Sequence, residues 1–176
     1  MCLLGDGNVG KTSIRNQYMG KGFNGDYLPT LGADFASFEV QIGEKSIRWQ
    51  IWDLAGQPAF GQIRSFYYKH SKAALLIFDL TKSSSLTNLE NWMKEIAINV
   101  GTPKVHVNIV GNKSDLKDEN SVTTATARAF ISEKILPVYQ DITGPIYYYE
   151  TSAKTGENVK DAFISLGKSV LKFMEK

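Results

Sequence analysis

The sequence predicts an α/β fold, a mixed sheet of six strands with helices on both faces. Three observations carry this reading. Apolar runs of strand length alternate with stretches of helical period along the chain. Ala73–Phe78 is short, continuous and apolar, as a strand covered on both sides should be. Ala33–Ile42 and Ser46–Leu54 flank the short connection Gly43-Glu44-Lys45, which reads as a hairpin and makes one sheet edge antiparallel.

The elements follow in order. Met1–Leu4 is apolar like a buried strand, and Thr12–Gly20 can start the first helix. The hairpin comes next, then the Ala73–Phe78 strand. Leu86, Leu89, Met93, Ile96 and Val100 recur every three or four residues, so this helix packs one face on the sheet. Val105–Val110 and Ile146–Tyr149 are the remaining strands. Val159, Phe163, Leu166, Val170 and Phe173 form the core stripe of the last helix. His106 and Asn108 are polar residues in an apolar strand and need partners if buried.

Bulk properties narrow the function. A chain of 176 residues suits one domain, expected over 1–176. Its apolar content of 43% and charged content of 22% are ordinary globular values. A net charge of +2 calls for no nucleic acid or anionic surface. The one cysteine, Cys2, sits in an apolar run, excludes an internal disulfide and fits a reducing, cytoplasmic location. No apolar run reaches the roughly eighteen residues of a membrane span, and no signal peptide is visible. Lys160, Lys168, Lys172 and Lys176 share a face of the last helix and read as a solvated surface. The C-terminal residues carry no cysteine, so no lipid anchor is expected in this sequence. The first strand is short, which suggests a few trimmed N-terminal residues.

The chemistry concentrates in one stretch. Gly5-Asp6-Gly7-Asn8-Val9-Gly10-Lys11-Thr12 fits G-x-x-x-x-G-K-S/T, the phosphate-binding loop. Its glycines let backbone N–H groups point inward around a phosphate. Lys11 adds a point charge for the outer phosphates, and the Thr12 hydroxyl can ligate Mg²⁺. The following helix presents its positive end to the same place. Four companions come in order: Thr30 in a polar loop, Asp53-Leu54-Ala55-Gly56-Gln57, Asn112-Lys113-Ser114-Asp115 and Thr151-Ser152-Ala153-Lys154. Each lies at or near the presumed C-terminal end of a strand, where open α/β sheets bind ligands. Any one of them alone reads as a polar turn.

With these residues the chain resembles a Ras-superfamily small GTPase of the Rab type. Thr30-Leu31-Gly32-Ala33-Asp34-Phe35 resembles the Rab effector loop, and Trp49-Gln50-Ile51-Trp52-Asp53 the Rab strand before the second switch. Tyr67-Tyr68-Lys69 and Asn91-Trp92-Met93-Lys94-Glu95-Ile96 are similar to Rab sequence too. The resemblance covers nearly the whole chain and implies the P-loop NTPase fold of small G proteins, with about five helices. It implies GTP and GDP as ligands, Mg²⁺ as cofactor, and effector, GTPase-activating and exchange proteins as partners of a monomer. Nucleotide contacts are then expected from Gly5, Gly7, Asn8, Val9, Gly10, Lys11, Thr12, Ser13, Phe23, Tyr27, Thr30, Gly56, Asn112, Lys113, Asp115, Ser152, Ala153 and Lys154. By that resemblance Asn112 ties its loop to the phosphate loop, Lys113 covers one base face, Phe23 meets the base edge-on, and the Ala153 N–H meets guanine O6.

The Asp115 carboxylate can accept from both N1–H and the exocyclic amine of guanine, whereas adenine has no N1 proton. The metal is expected on Thr12 and Thr30, with Asp53 holding a metal-bound water. Few protein ligands suit Mg²⁺, which keeps several waters. Thr30 and the Gly56 N–H would hold the γ-phosphate, so hydrolysis would release both switch loops. Phe35, Trp52 and Tyr67 match the aromatic triad sensed by Rab effectors, with core packing as the other reading.

For hydrolysis, Gln57 is the expected water-positioning residue, with Lys11 and Gly56 beside it. Pro58 biases Gln57 toward extended conformations, which could pre-position or misplace it. None of Arg15, Arg48, Arg64 and Arg128 lies in the Gly22–Asp34 loop, so slow intrinsic hydrolysis is expected, with Arg64 the first candidate for a charge supplied in cis. Two alternatives stand at this point: a GTP-binding scaffold with little turnover, kept open by Pro58, and a P-loop ATPase or small-molecule kinase, disfavoured by Asp115 and Ala153. From Phe130 to Glu150 the chain exceeds the family's usual length, and Leu136–Pro145 reads as a surface excursion or a partner-binding loop.

Overall fold

The structure is a computed structural model that describes residues 1–25, 29–100 and 104–174. The described residues form one six-stranded sheet in the order β2-β3-β1-β4-β5-β6. The strands are β1 Cys2–Leu4, β2 Ala33–Ile42, β3 Lys45–Leu54, β4 Ala73–Asp79, β5 His106–Asn112 and β6 Tyr147–Thr151. β2 and β3 pair antiparallel from Ala33↔Leu54 to Ile42↔Lys45, and all other pairs are parallel. The hairpin turns on Gly43, whose φ of +62° is costly for a residue with a Cβ.

Strand ends run further than the apolar pattern suggests. Asp79, Asn112 and Thr151 are strand residues beyond the expected ends, with Asp79 paired to Asn112 and Asn112 to Thr151, while Asp53 lies inside the strand expected over Ser46–Leu54. The ladder is a backbone interaction and continues through polar side chains that side-chain periodicity reads as loop. As a result the chemical groups stand on the rigid sheet rather than on free loops.

Five helical segments surround the sheet among the described residues. They are α1 Lys11–Tyr18; α2 Gly61–Tyr68, preceded by a 3₁₀ turn at Pro58–Phe60; α3 Ser83–Thr87 continuing as α4 Leu89–Asn99; a segment from Thr124 to Tyr139; and α7 Val159–Met174. The fourth segment comprises α5 Thr124–Phe130, a π turn Ile131–Ile135 and α6 Leu136–Tyr139. The excursion expected over Leu136–Pro145 therefore begins as helix, because Ile131 and Ile135 are buried and Leu136 and Tyr139 pack on the same core.

Alternate β4 residues feed two cores. Ala74, Leu76 and Phe78 join Leu89, Trp92, Met93 and Ile96 on one face. Ala73, Leu75 and Ile77 join Ile14, Phe163, Leu166 and Val170 on the other. Phe173 departs from the expected stripe. It is 42% exposed, because α7 outruns the sheet there, and it meets only the edge of the His106 ring at 5.4 Å. His106 and Asn108 are both buried. Asn108 Nδ2 donates to Ala162 O at 3.0 Å, while its Oδ1 and both His106 ring nitrogens lack partners.

Phe163 is fully buried and stacks on Tyr18 with centroids 3.8 Å apart. Phe163→Ala should lower the unfolding free energy by about 3–5 kcal/mol through lost burial and a residual cavity. Urea unfolding followed by circular dichroism measures it, and a loss within the error of the wild type would show that the α1–α7 face collapses onto the vacated volume.

Candidate functional site

Every strand of the parallel part of the sheet delivers its C-terminal end to one rim. From β1 the chain enters the loop 5–10 and then α1. Gly10 makes this turn at φ +95°, and a Cβ there would stand 2.3 Å from Asn112 Nδ2. The residue must be glycine for the asparagine to approach. The Lys11 ammonium reaches back across the loop to Gly5 O at 2.8 Å and Asp6 O at 2.7 Å. Burial lowers its pKa to about 8, opposed by the Asp53 and Asp6 carboxylates. Asp6 is fixed in turn by Asn88 Nδ2 and by Trp92 Nε1, the latter at 2.8 Å.

Three oxygens meet beside Lys11. Thr12 Oγ1 donates to Asp53 Oδ2 at 2.5 Å and lies 3.0 Å from Thr30 Oγ1. Asp53 is fully buried, and its Oδ1 has no partner. Burial raises the Asp53 pKa, while Thr12, Arg15 and Lys11 pull it down. Two hydroxyls and a carboxylate with unused acceptor capacity are hard oxygen donors of the kind Mg²⁺ takes. The residues therefore fit the metal.

At the other end Asn112 joins three segments. Its Nδ2 donates to Val9 O at 2.9 Å, and its Oδ1 accepts from Ala153 N at 3.1 Å and Thr151 Oγ1 at 3.2 Å. The Ala153 N–H expected to face a base is thus turned to Asn112, because that buried carbonyl needs a donor. Lys113 adopts a left-handed conformation, φ 70°, and its Nζ lies 2.6 Å from Asp79 Oδ2. Ser152 stands buried behind the rim and donates to Asp115 Oδ1 at 2.6 Å. Its Oγ also accepts from Lys154 N and Thr155 N, so Asp115 is aimed by a side chain that the backbone itself fixes.

A cavity of about 490 Å³ runs along this rim. Gly7, Asn8, Gly10, Lys11, Thr12, Ser13, Phe23, Thr30, Gly56, Gln57, Asn112, Lys113, Asp115, Ala153 and Lys154 line it. Gly5, Val9, Asp53 and Ser152 stand outside its lining and support it from behind, and Tyr27 lies outside the described residues. Asp79, the partner of Lys113, has no motif of its own in the sequence. Arg15, buried within 3.8 Å of Asp53, was also missed. Its spacing of three residues from Thr12 puts it on the same helix face, the one signal that could have found it.

The segment after Asp53 closes over the phosphate loop. A Cβ on Gly56 would lie 2.5 Å from Gly7 N and 2.6 Å from Gly5 O, so only glycine packs there. Gln57 is extended at φ −73°, ψ 140°, as its neighbour Pro58 demands, and its Oε1 is buried without a partner. Arg64 is committed elsewhere. Its Nη1 donates to Ala55 O and Gln57 O, both at 2.9 Å, its Nε and Nη2 hold Glu95, and its guanidinium lies over the Trp92 ring. Phe35, Trp52 and Tyr67 pack in a row with centroids 4.7 and 4.6 Å apart. Phe35 is exposed, while Trp52 and Tyr67 are half-buried and pack on the core, so the row runs from surface to core.

Comparison with known proteins agrees with this geometry. The Ras family model matches residues 1–172. The Ras-related protein RABG3f of Arabidopsis thaliana is 39% identical over 99% of this chain and 82% of its own length. The Ras-related protein Rab7 of Pisum sativum is likewise 39% identical over 99% and 82%. The GTP-binding protein YPTC5 of Chlamydomonas reinhardtii is 37% identical over 97% and 81%. Family model, relatives and sheet order all point the same way, and the chain belongs to the Ras family as a Rab-like small GTPase.

Proposed function

We propose that the rim cavity is the guanine nucleotide site of this GTPase and that its residues act as follows. The phosphates lie along the loop 5–10 and the start of α1, with Lys11 turning from its two carbonyls to the outer phosphates. Thr12 and Thr30 would hold Mg²⁺, and the Asp53 carboxylate beside them would orient its hydration by accepting hydrogen bonds. The metal neutralises phosphate charge when bound. Asp115, aimed by Ser152, reads the guanine edge, while the Lys113 stem and Phe23 cover the base. Gln57, with an unused buried acceptor, orients the attacking water, and Gly56 and Thr30 sense the γ-phosphate. Phe35, Trp52 and Tyr67 present the nucleotide state to effectors of the trafficking type. The chain works as one domain over 1–176, as a monomer on the cytoplasmic side. The buried free thiol of Cys2 supports that location.

One observation carries the reading: a single cavity of about 490 Å³ gathers phosphate-loop, metal-type and base-type residues from motifs over 100 positions apart, as the Asn112–Val9 bond shows. Denaturing the purified protein and chromatographing the released nucleotide tests it. GDP or GTP is the expected result, and adenine nucleotides would overturn it.

Asp115→Asn should weaken GDP binding and shift preference toward xanthosine diphosphate, whose C2 carbonyl accepts from an amide. Competition binding with the two diphosphates measures this, and unchanged GDP affinity would remove Asp115 as the base reader. Thr12→Asn should weaken GTP binding more than GDP binding, since the γ-phosphate depends most on the metal. Equal losses would indicate general damage to the loop.

Hydrolysis should be slow. Arg64, the first candidate for a charge supplied in cis, is fully engaged by Ala55, Gln57 and Glu95 and so is not available to the transferring phosphoryl group. Ras-type enzymes without such a charge turn over at about 10⁻⁴ s⁻¹, a scale taken from this same superfamily. Single-turnover hydrolysis of pre-loaded GTP should give a rate of that order, reduced further by Gln57→Leu. A Cβ on Gly7 meets nothing within 4 Å, so Gly7→Val is sterically free to fold and should slow hydrolysis by filling space beside the γ-phosphate. A wild-type rate near ~1 s⁻¹, far above that scale, would reveal a charge in cis.

A further inference from the structure

Arg15 has no part in the roles above, yet it is buried on α1 at 6% exposure. Its guanidinium stands between two carboxylates. Nη2 is 2.7 Å from Asp34 Oδ2, and Nη1 is 3.8 Å from Asp53 Oδ2. Asp34 and Asp53 are direct cross-strand partners in the β2–β3 ladder. Like charges in that relation repel, and a cation between them offsets the repulsion. The arrangement is asymmetric. The Asp34 contact is a close ion pair, whereas Arg15 Nη1 and Nε make no hydrogen bond and Asp53 Oδ1 has no partner. The guanidinium thus places a second cation beside Asp53, on the side of α1. Asp34 also accepts from Phe35 N at 2.8 Å, so the same ion pair fixes the end of β2 that carries Phe35.

We infer that Arg15 is a positioning residue that competes with the metal for Asp53 and so sets how tightly the nucleotide site holds Mg²⁺. The inference rests on the GTPase reading of the site. Asp53 is shared between a fixed cation on α1 and the cation at Thr12 and Thr30. When Asp53 serves the metal site, Arg15 falls back on Asp34 and tightens the start of β2 against α1. When it does not, Arg15 divides its charge between the two carboxylates. Metal affinity and the seating of the effector strand are thereby linked through one side chain.

The test is a Mg²⁺ titration of the release rate of a fluorescent GDP analogue from the full chain, at constant ionic strength. Arg15→Leu removes the competing charge and should lower the half-saturating Mg²⁺ concentration by about tenfold. Arg15→Lys keeps the charge and should stay within about twofold of the wild type. Asp34→Asn leaves Arg15 to Asp53 alone and should raise the half-point severalfold. Unchanged half-points in both Arg15→Leu and Asp34→Asn would overturn the proposal. So would an Arg15→Lys variant that behaves like Arg15→Leu, since packing rather than charge would then be at work. If Arg15→Leu does not fold, Asp34→Asn decides alone: a half-point raised severalfold supports the proposal and an unchanged one overturns it. Failure of the wild type to retain the GDP analogue at saturating Mg²⁺ would sink the GTPase reading itself, which separates the two failures.

Discussion

The site depends on the three hydrogen bonds of Asn112. The residue ends β5, is almost wholly buried, and connects the loop after β1 with the end of β6. Each such bond contributes about 1 kcal/mol net, but an unpaired group at this depth costs about 1–3 kcal/mol, so the asymmetry favours keeping all three together. Gly10 provides the space, and its positive φ turns the chain into α1. The phosphate end and the base end of the cavity are held at a fixed separation by one amide side chain.

The two halves of the site differ in how they are supported. The base half rests on strand ends, and Ser152 holds Asp115 through a hydroxyl already fixed by two backbone N–H groups. The phosphate-sensing half rests on contacts that can be exchanged. Thr30 touches Thr12 through one hydroxyl pair, and Gly56 leans on the phosphate loop by close packing alone. Arg64 anchors the second switch from below by holding Ala55, Gln57 and Glu95 together. In the proposed reading of the site, a fixed base reader beside a loosely tied phosphate sensor is the division of labour a nucleotide switch requires, because only the part that reads the γ-phosphate needs to move.

Most of this was legible in the sequence. The continuous apolar run of β4 gave a strand covered on both faces, and the hairpin spacing gave the antiparallel edge. The ordered motifs named nearly all of the cavity lining, because glycine turns and phosphate chemistry leave local spacing signatures. The misses share a physical cause. Asp79 and Arg15 act through partners far away in sequence, Lys113 in one case and Asp34 and Asp53 in the other, and no local pattern encodes such pairs. The Ala153 N–H went to Asn112 because competition for a buried donor is settled by tertiary packing. Phe173 matched the helical period but lies beyond the end of the sheet, where periodicity has no core to meet.

The π turn at Ile131–Ile135 bears on how a helix carries an added residue without losing its buried stripe. One residue added to an α-helix rotates everything after it by about 100°, enough to move a core residue to solvent. A widened turn takes up the added residue locally and leaves the following side chains in phase. Ala127, Ile131 and Ile135 remain buried, and Leu136 and Tyr139 still pack beneath the helix. Pro137, which has no N–H to donate backward, comes just after the wide turn, where the helical ladder is already broken. The extra residue is thus taken up inside the turn, and the stripe of side chains that reaches the core keeps its phase on either side of it.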